Sequence, residues 1–295
     1  MDLIERAASK LRTSSAAGNA SEEADLVARS ATAQGSEKAP ANRLQQHSRR
    51  EQIDFERMKE LGYITPDQEP SRLAEEFRII KRQVLLKAFG VGDNAIRNGN
   101  LILVTSAQPK EGKTFCAVNL AMSIASERDL TVLLVDADVA RPSILTILGL
   151  PEGKGLVDFI LDENVQLSDC LIRTNIDNLS ILPAGRAHPL ATELLASERM
   201  GEIVQEISQR YPDRVVIFDS SPVLANSAPG VLAMHVGQVL FVTEADRTRE
   251  TQMQESLTLL NGCKNISLLL NKSPFSGGKE KFGSYYGYGY ERLEQ

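Results

Sequence analysis

The chain has 295 residues, 42% of them hydrophobic, which is enough to bury one large core or a core with a small appendage. Its formal net charge of -6 argues against a nucleic-acid partner, because a surface that binds nucleic acid is basic. No apolar run reaches the roughly 18 residues that span a bilayer, and the first residues lack the apolar core of a signal peptide. We therefore expect a cytoplasmic protein with one main domain.

The N-terminal third predicts little packed structure until its last helix. Residues 1–12 place apolar side chains at helical spacing, which predicts a short amphipathic helix. Residues 13–52 contain hardly any large apolar side chains, so they predict a disordered linker. Residues 53–98 predict a helical extension, in which Ser71 caps an amphipathic helix over residues 71–86.

Residues 99–275 consist of short apolar runs separated by longer helical stretches. Near-continuous apolar runs of this length indicate parallel strands that are covered on both faces. We predict a three-layer α/β fold with a mainly parallel sheet, and we expect ligands at the carboxyl ends of the strands. The predicted strands are residues 101–105, 131–135, 179–182, 215–218, 239–242 and 266–270.

The first of these strands runs directly into a phosphate-loop motif and then into a helix. Backbone N–H groups of such a loop and the helix N-terminus bind phosphates. We expect Lys113 to reach the terminal phosphoryl group and the Thr114 hydroxyl to bind Mg²⁺. Ala107 replaces the first glycine of the motif. The predicted Mg-ATP site comprises Gln108, Pro109, Lys110, Glu111, Gly112, Lys113, Thr114 and Phe115.

Carboxylates follow two of the predicted strands. Asp136 and Asp138 come after the second strand, and a two-residue spacing on a strand end points both side chains the same way. This arrangement suits a metal site or a general base, and the alternative is a helix cap with an ion pair to Arg141. Asp219 follows another apolar strand, where domains of this class keep a second Mg²⁺ ligand.

The C-terminal residues 276–295 contain four of the six tyrosines, Tyr285, Tyr286, Tyr288 and Tyr290. Interleaved glycines allow such a tail to enter the active site of another subunit. Beside an ATP site, the tail is predicted to be a phosphate acceptor. The alternative is a Gly/Tyr tail that has no role.

Together these motifs resemble the bacterial protein-tyrosine kinases of exopolysaccharide and capsule assembly, from about Ser71 to the end of the chain. Residues 149–151, 155–160, 182–185 and 193–195 are similar to the segments of that family that follow the phosphate loop. Residues 136–142, together with the N-terminal helix and the short tail, look most like the stand-alone branch in exosortase-associated operons. The resemblance implies a phosphate-loop NTPase fold and an ATP- and Mg²⁺-dependent tyrosine autokinase.

The resemblance also implies residue roles. Asp136 would be the base for the tyrosine hydroxyl, and Thr114, Asp136 and Asp219 would bind Mg²⁺ with support from Asp138. Lys113 would act on the phosphoryl group, and Asn271 would lie near the adenine. The three-residue spacing of Glu75, Arg78 and Lys81 is similar to that on the helix through which family members form a ring. Lys81 stands in place of the family's arginine.

The partners implied by the resemblance are proteins. They are other copies of this chain, which would be phosphorylated in trans, an activating membrane protein of the chain-length-determinant or polysaccharide co-polymerase class, and a tyrosine phosphatase. The membrane partner would place the kinase at the inner face of the cell membrane. The chain departs from the family pattern at Lys110, which stands for glycine, at Ala140, which stands for a basic residue, and at Ser220-Ser221.

Two other functions are compatible with the motifs. The first is a switch ATPase of the plasmid-partition and septum-positioning type, although those proteins carry a second lysine where this chain has Gln108. The second is a nucleotide-binding adaptor that transfers nothing, which only Lys110 and Ala140 favour. The intact Lys113 and Asp136 weigh against the adaptor.

Overall fold

The computed structural model describes residues 48–69, 71–90, 95–210 and 213–273. The predicted helix over residues 1–12, most of the predicted linker and the tail 276–295 lie outside the described residues. The strands are β1 (Arg49–Arg50), β2 (Leu101–Ser106), β3 (Thr131–Ala137), β4 (Ile172–Arg173), β5 (Leu179–Leu182), β6 (Arg214–Ser220), β7 (Gln238–Glu244) and β8 (Ile266–Asn271). The helices are α1 (Phe55–Glu60), α2 (Arg72–Ala88), α3 (Lys113–Ala125), α4 (Ile144–Leu148), α5 (Leu156–Leu161), α6 (Leu167–Cys170), α7 (Ala191–Leu195), α8 (Glu198–Arg210), α9 (Ala228–Ala233) and α10 (Glu250–Leu259).

The strands form one sheet in the order β1-β4-β5-β3-β6-β2-β7-β8. All neighbouring strands are parallel except β4 and β5. Successive side chains of β2 point to opposite faces of the sheet: Leu101 and Leu103 belong to one hydrophobic core, whereas Ile102 and Val104 belong to the other. The predicted three-layer α/β fold with a mainly parallel sheet is therefore confirmed.

The ordered chain begins earlier than the sequence predicts. The linker was predicted to reach residue 52, but Arg49–Arg50 forms β1 and pairs in parallel with β4. The Ile53 N–H donates to the side-chain oxygen of Asn175 at 2.9 Å, and Ile53 is buried. The edge of the sheet supplies hydrogen-bond acceptors to this segment, and the composition of the segment alone does not reveal them. The predicted end of the linker at residue 52 is therefore wrong by several residues.

The predicted helical extension packs against the main domain. Asp54 caps α1 by accepting a hydrogen bond from the Arg57 N–H at 3.0 Å, and Met58 is fully buried. As predicted, Ser71 caps α2, because its hydroxyl accepts from the Ala74 N–H at 3.2 Å. Met58 of α1 and Phe77 and Val84 of α2 share a hydrophobic core with α3, so the extension forms part of the outer layer of the domain. Among the described residues, no helix is long and apolar enough to cross a membrane.

Candidate active site

The phosphate loop joins β2 to α3 in the predicted strand, loop and helix order. Gly112 is the N-cap of α3 and has φ +95°, a left-handed conformation that glycine adopts without steric cost. Ala107 is fully buried and is not among the residues with positive φ. Alanine therefore fits where the common motif has its first glycine, and this departure leaves the loop intact.

The end of β8 contacts the phosphate loop at two successive peptide groups. The Asn271 Nδ2 donates to the Glu111 carbonyl oxygen at 2.9 Å, and the Lys272 Nζ donates to the Lys110 carbonyl oxygen at 2.6 Å. A Cβ atom at Gly112 would lie 2.0 Å from the Asn271 Nδ2. Glycine at position 112 is therefore favoured by its backbone conformation, and it also leaves room for the Asn271 amide.

Glu111 links the phosphate loop to the segment between β7 and α10. Its side chain is almost fully buried, and it accepts hydrogen bonds from the Gln108 N–H at 2.7 Å and from the Thr248 hydroxyl at 2.5 Å. The Thr248 hydroxyl in turn accepts from the Glu244 N–H at 2.8 Å. Glu111 was predicted only as part of the phosphate-binding loop, and Thr248 belongs to no motif that would have predicted this contact.

Two aspartates lie side by side below the loop. Asp136 on β3 is the register partner of Asp219 on β6, and both side chains are buried. The Asp136 Oδ2 accepts hydrogen bonds from the N–H groups of Ser143 and Ile144 at 3.0 and 3.1 Å. Within the described part of the chain, the Asp136 Oδ1 and both carboxylate oxygens of Asp219 have no hydrogen-bond partner. Both residues belong to the strands themselves, whereas the sequence placed them at or just after the strand ends.

Burial dominates the electrostatics of this pair. Burial, reinforced by the charge of Asp219, raises the pKa of Asp136 to about 7, although the two N–H donors at the start of α4 oppose the increase. Burial also raises the pKa of Asp219 to about 6, against the opposing effects of Lys113 and the nearby Thr114 hydroxyl. The Thr114 hydroxyl lowers this pKa without forming a hydrogen bond of ordinary geometry to Asp219. Both pKa values lie well above the usual value for aspartate because charged carboxylates are costly inside a protein.

Lys113 is surrounded by carboxylates. Its Nζ pairs with the Asp138 Oδ2 at 2.8 Å, and both side chains are largely buried. Burial alone would lower the pKa of Lys113, but the negative charges of Asp219, Asp138 and Asp136 together raise it. The Asp138 carboxylate therefore pairs with the phosphate-loop lysine instead of with Arg141, whose N–H bonds to the Asp138 backbone carbonyl at 2.9 Å.

These residues fit Mg²⁺. The unpaired oxygens of Asp219 lie near the Thr114 hydroxyl, and the unpaired Asp136 Oδ1 belongs to the neighbouring strand. Hydroxyl and carboxylate oxygens are the ligands that Mg²⁺ prefers. No cluster of three or more His, Cys, Asp or Glu side chains in the described ranges could enclose a metal ion by itself. This is the expected arrangement for Mg²⁺, which keeps several waters and is shared between one or two carboxylates and the substrate phosphates.

Other predicted site residues lie around this centre. Asn271 contacts the loop as described above, and Pro109 and Lys110 form its exposed turn. The Phe115 ring packs against Tyr63 and Phe77, with ring centroids 5.1 and 6.4 Å apart. The Phe115 side chain therefore belongs to the contact between α3 and the N-terminal extension. Its proposed share in nucleotide binding stays a prediction.

The predicted oligomerisation residues divide into two groups. Glu75 and Arg78 are exposed on α2 and form an ion pair with each other. The Lys81 Nζ instead donates to the Ser123 carbonyl oxygen at 3.1 Å and pairs with Glu127 at 2.5 Å. Lys81 is thus engaged within its own chain, whereas the charged groups of Glu75 and Arg78 lie at the surface. The ring contact through α2 stays a prediction.

The fold and the loop define a phosphate-loop nucleotide-binding domain, and comparisons with known proteins identify its family. A family model described as an AAA domain matches residues 100–267. The chain is 31% identical over 222 residues to the tyrosine-protein kinase YwqD of Bacillus subtilis, which covers 74% of this chain and 89% of YwqD. It is 32% identical over 196 residues to the tyrosine-protein kinase wzc of Salmonella typhimurium, which covers 65% of this chain but only 26% of wzc.

Solved structures agree with these relatives. The crystal structure of the chimerical protein CapA2B2 matches with a TM-score of 0.63 and 26% identity, over 76% of this chain and 93% of that one. The VpsO kinase domain matches with a TM-score of 0.56 and 28% identity, over 69% of this chain and 100% of that one. The chain therefore belongs to the family of bacterial tyrosine-protein kinases, as the resemblance of its motifs predicted.

Proposed function

We propose that this protein is an ATP-dependent tyrosine autokinase that regulates exopolysaccharide synthesis or export. It transfers the γ-phosphoryl group of ATP to tyrosines of its own C-terminal tail, in trans between subunits. The observation that carries the proposal is the buried pair of Asp136 and Asp219, which has free carboxylate oxygens beside the lysine of the phosphate loop. Buried oxygens without a partner cost stability, and this pair can recover that cost by holding a cation and by accepting the proton of a phenol.

The chemistry assigns different roles to the two oxygens of Asp136. A tyrosine phenol with a pKa near 10 is a weak nucleophile at neutral pH, so a nearby base assists it. Oδ2 is fixed by two backbone N–H groups, and Oδ1 is free to accept the phenol proton. As that proton leaves, the phenol oxygen bonds to the γ-phosphorus and the bond from the γ-phosphorus to the departing ADP oxygen breaks.

Positive charge at the loop supports this transfer. We expect Lys113 to exchange Asp138 for the terminal phosphoryl group, because its cationic form is favoured by the surrounding carboxylates. When bound, Mg²⁺ would be held by Thr114, Asp219 and Asp136, directly or through water, and would neutralise phosphate charge. The negative charge of Asp138 would favour both the cationic form of Lys113 and the binding of Mg²⁺.

The proposed acceptors are Tyr285, Tyr286, Tyr288 and Tyr290. Each added phosphate carries about -1.5 to -2 charges, so several on one tail repel one another and weaken a ring of subunits. Following the family resemblance, we propose that a membrane protein of the polysaccharide co-polymerase class activates the kinase at the inner face of the membrane, and that a tyrosine phosphatase reverses the modification.

Phosphosite mass spectrometry on the full chain incubated with Mg-ATP tests this function. We expect several phosphates on the tail tyrosines of the wild-type protein, and none after Lys113→Ala or after changing all four tail tyrosines to Phe. The four-Phe variant should still bind ATP, which separates loss of the acceptor from loss of the site. Steady ATP hydrolysis without phosphotyrosine would instead support the switch ATPase. Absence of both, even with the membrane partner added, would support the adaptor.

A further inference from the structure

We infer that Lys272 is a positioning residue of the phosphate loop, which holds the peptide group between residues 110 and 111 so that its N–H points toward the nucleotide phosphates. The inference rests on the proposed binding of nucleotide at this loop. It concerns a residue that lies 162 positions away from Lys110 in the chain and belongs to no phosphate-binding motif.

The conformation of Lys110 creates the need for such a residue. Lys110 has φ +71° and directly follows Pro109 in the turn that opens the loop. A turn with proline in its second position and a positive φ in its third position usually carries glycine or asparagine in the third position. Lysine is strained in this conformation, so the loop requires an added contact to populate it fully.

The direction of the peptide groups explains what the contact achieves. In a trans peptide the carbonyl of one residue and the N–H of the next point in opposite directions. Lys272 binds the Lys110 carbonyl oxygen and Asn271 binds the Glu111 carbonyl oxygen, so the N–H groups of Glu111 and Gly112 point to the other side. Neither N–H bonds to another described group. These are the donors with which a phosphate loop binds anions.

Lys272 is itself fixed in place. Its Nζ lies 3.3 Å from the Glu244 Oε2, and the neighbouring Asn271 carbonyl accepts from the Ala245 N–H at 3.0 Å. Glu244 is the last residue of β7 and Asn271 is the last residue of β8. The ends of these two adjacent strands therefore orient the ammonium group of Lys272.

A double-mutant cycle tests the inference. Lys272→Met keeps most of the length of the side chain but removes the donor, and Lys110→Gly removes the backbone strain. We would measure dissociation constants of Mg-ADP and of a non-hydrolysable Mg-ATP analogue by titration calorimetry, on the full chain. Lys264→Met is the matched control, because Lys264 is a lysine at the far end of the sheet with no described partner.

We expect Lys272→Met to weaken binding of both nucleotides about tenfold, the size expected for one charge-assisted hydrogen bond. In the Lys110→Gly background, where the loop adopts its conformation without help, the same change should weaken binding about twofold at most. The KM for ATP should rise more than kcat falls, and Lys264→Met should bind like the wild-type protein.

Several results would overturn the inference. An equal loss in both backgrounds, larger for the triphosphate, would mean that Lys272 acts on phosphate directly by its charge. Unchanged binding in Lys272→Met would mean that the contact has no role. Failure of the wild-type protein to bind either nucleotide would instead refute the proposed function and, with it, the inference.

Discussion

Asp136 and Asp219 are direct neighbours across two parallel strands, and neither residue is fully paired with hydrogen-bond donors. When two buried carboxylates are direct neighbours, ionisation of one makes ionisation of the other less favourable. The nearby Lys113 reduces this cost but does not remove it, because the pKa of each aspartate is still raised. The buried pair therefore lowers the stability of the empty site, and a bound cation would relieve that loss.

The first prediction concerns the pH dependence of stability without nucleotide. The pKa of Asp219 is about 6 in the folded protein, against an ordinary value of 3.8. The folded state therefore holds protons that the unfolded state releases, and the free energy of unfolding contributed by this group falls as pH rises from about 4 to 7. Asp219→Asn should reduce that fall by more than about 1 kcal/mol in urea unfolding measured across this range.

Asp177→Asn serves as the control for this experiment, because Asp177 is exposed. Its stability curve should run parallel to that of the wild-type protein. If the curve of Asp219→Asn also runs parallel, the raised pKa of Asp219 makes no contribution to stability.

The second prediction concerns the buried carboxylate of Glu111. Glu111→Gln leaves one acceptor oxygen for two donors, the Gln108 N–H and the Thr248 hydroxyl. We expect a loss of about 1–3 kcal/mol in the free energy of unfolding, together with weaker ATP binding. Thr248→Val removes one of the donors, so the double variant should be less destabilised than the sum of the single changes. Additive losses in chemical unfolding would show that the two side chains are not coupled.

The third prediction concerns the glycine at the start of α3. Gly112→Ala meets a positive φ and a contact of 2.0 Å with Asn271, and the backbone strain alone costs about 1–2 kcal/mol. We expect ATP binding to fall at least about tenfold and Tm to decrease. Asn271→Ala removes the contact but not the strain. In that background Gly112→Ala should therefore still lower Tm, but by less than it does in the wild-type protein. An equal loss of Tm in both backgrounds would mean that the contact with Asn271 is unimportant.

The fourth prediction separates assembly from stability on α2. Arg78→Ala removes a residue whose pair with Glu75 is exposed, and exposed pairs contribute only about 0–1 kcal/mol. If α2 forms the ring contact, this variant should self-associate less in analytical ultracentrifugation while Tm stays nearly unchanged. Lys81→Ala should lower Tm, because it breaks the contacts with Ser123 on α3 and with Glu127, two residues beyond the end of that helix. Normal assembly of Arg78→Ala would exclude this residue from the interface.

Much of the domain was predictable because its signals are local. The apolar runs that became β2, β3, β6, β7 and β8 are contiguous in sequence, and the phosphate loop is a single segment. Each predicted strand exists, and most extend by one or two residues at their ends. The order of strands in the sheet also places Asp136 and Asp219 together, as expected from the carboxyl ends of parallel strands.

Contacts between distant segments could not be predicted in this way. Thr248 lies 137 residues from Glu111, and nothing in the residues around Thr248 indicates a buried carboxylate beside it. Lys272 could have been suspected only by asking what supports a lysine where glycine is usual. Arg49–Arg50 and Ile172–Arg173 form strands of two residues, which are too short to produce a periodic pattern.

The contact between Lys272 and the phosphate loop also fixes where the C-terminal segment is tethered. Twelve positions separate Ser273 from Tyr285, and a segment of that length extends at most about 40 Å. Tyr285, the first of the proposed acceptor tyrosines, therefore lies within that radius of Ser273, the residue that follows the contact with the phosphate loop. Short tethers of this kind produce effective concentrations in the millimolar range. The active site of a neighbouring subunit competes for the tail only if assembly brings it to a comparable local concentration. Dilution should therefore slow phosphoryl transfer between subunits and leave transfer within one subunit unchanged.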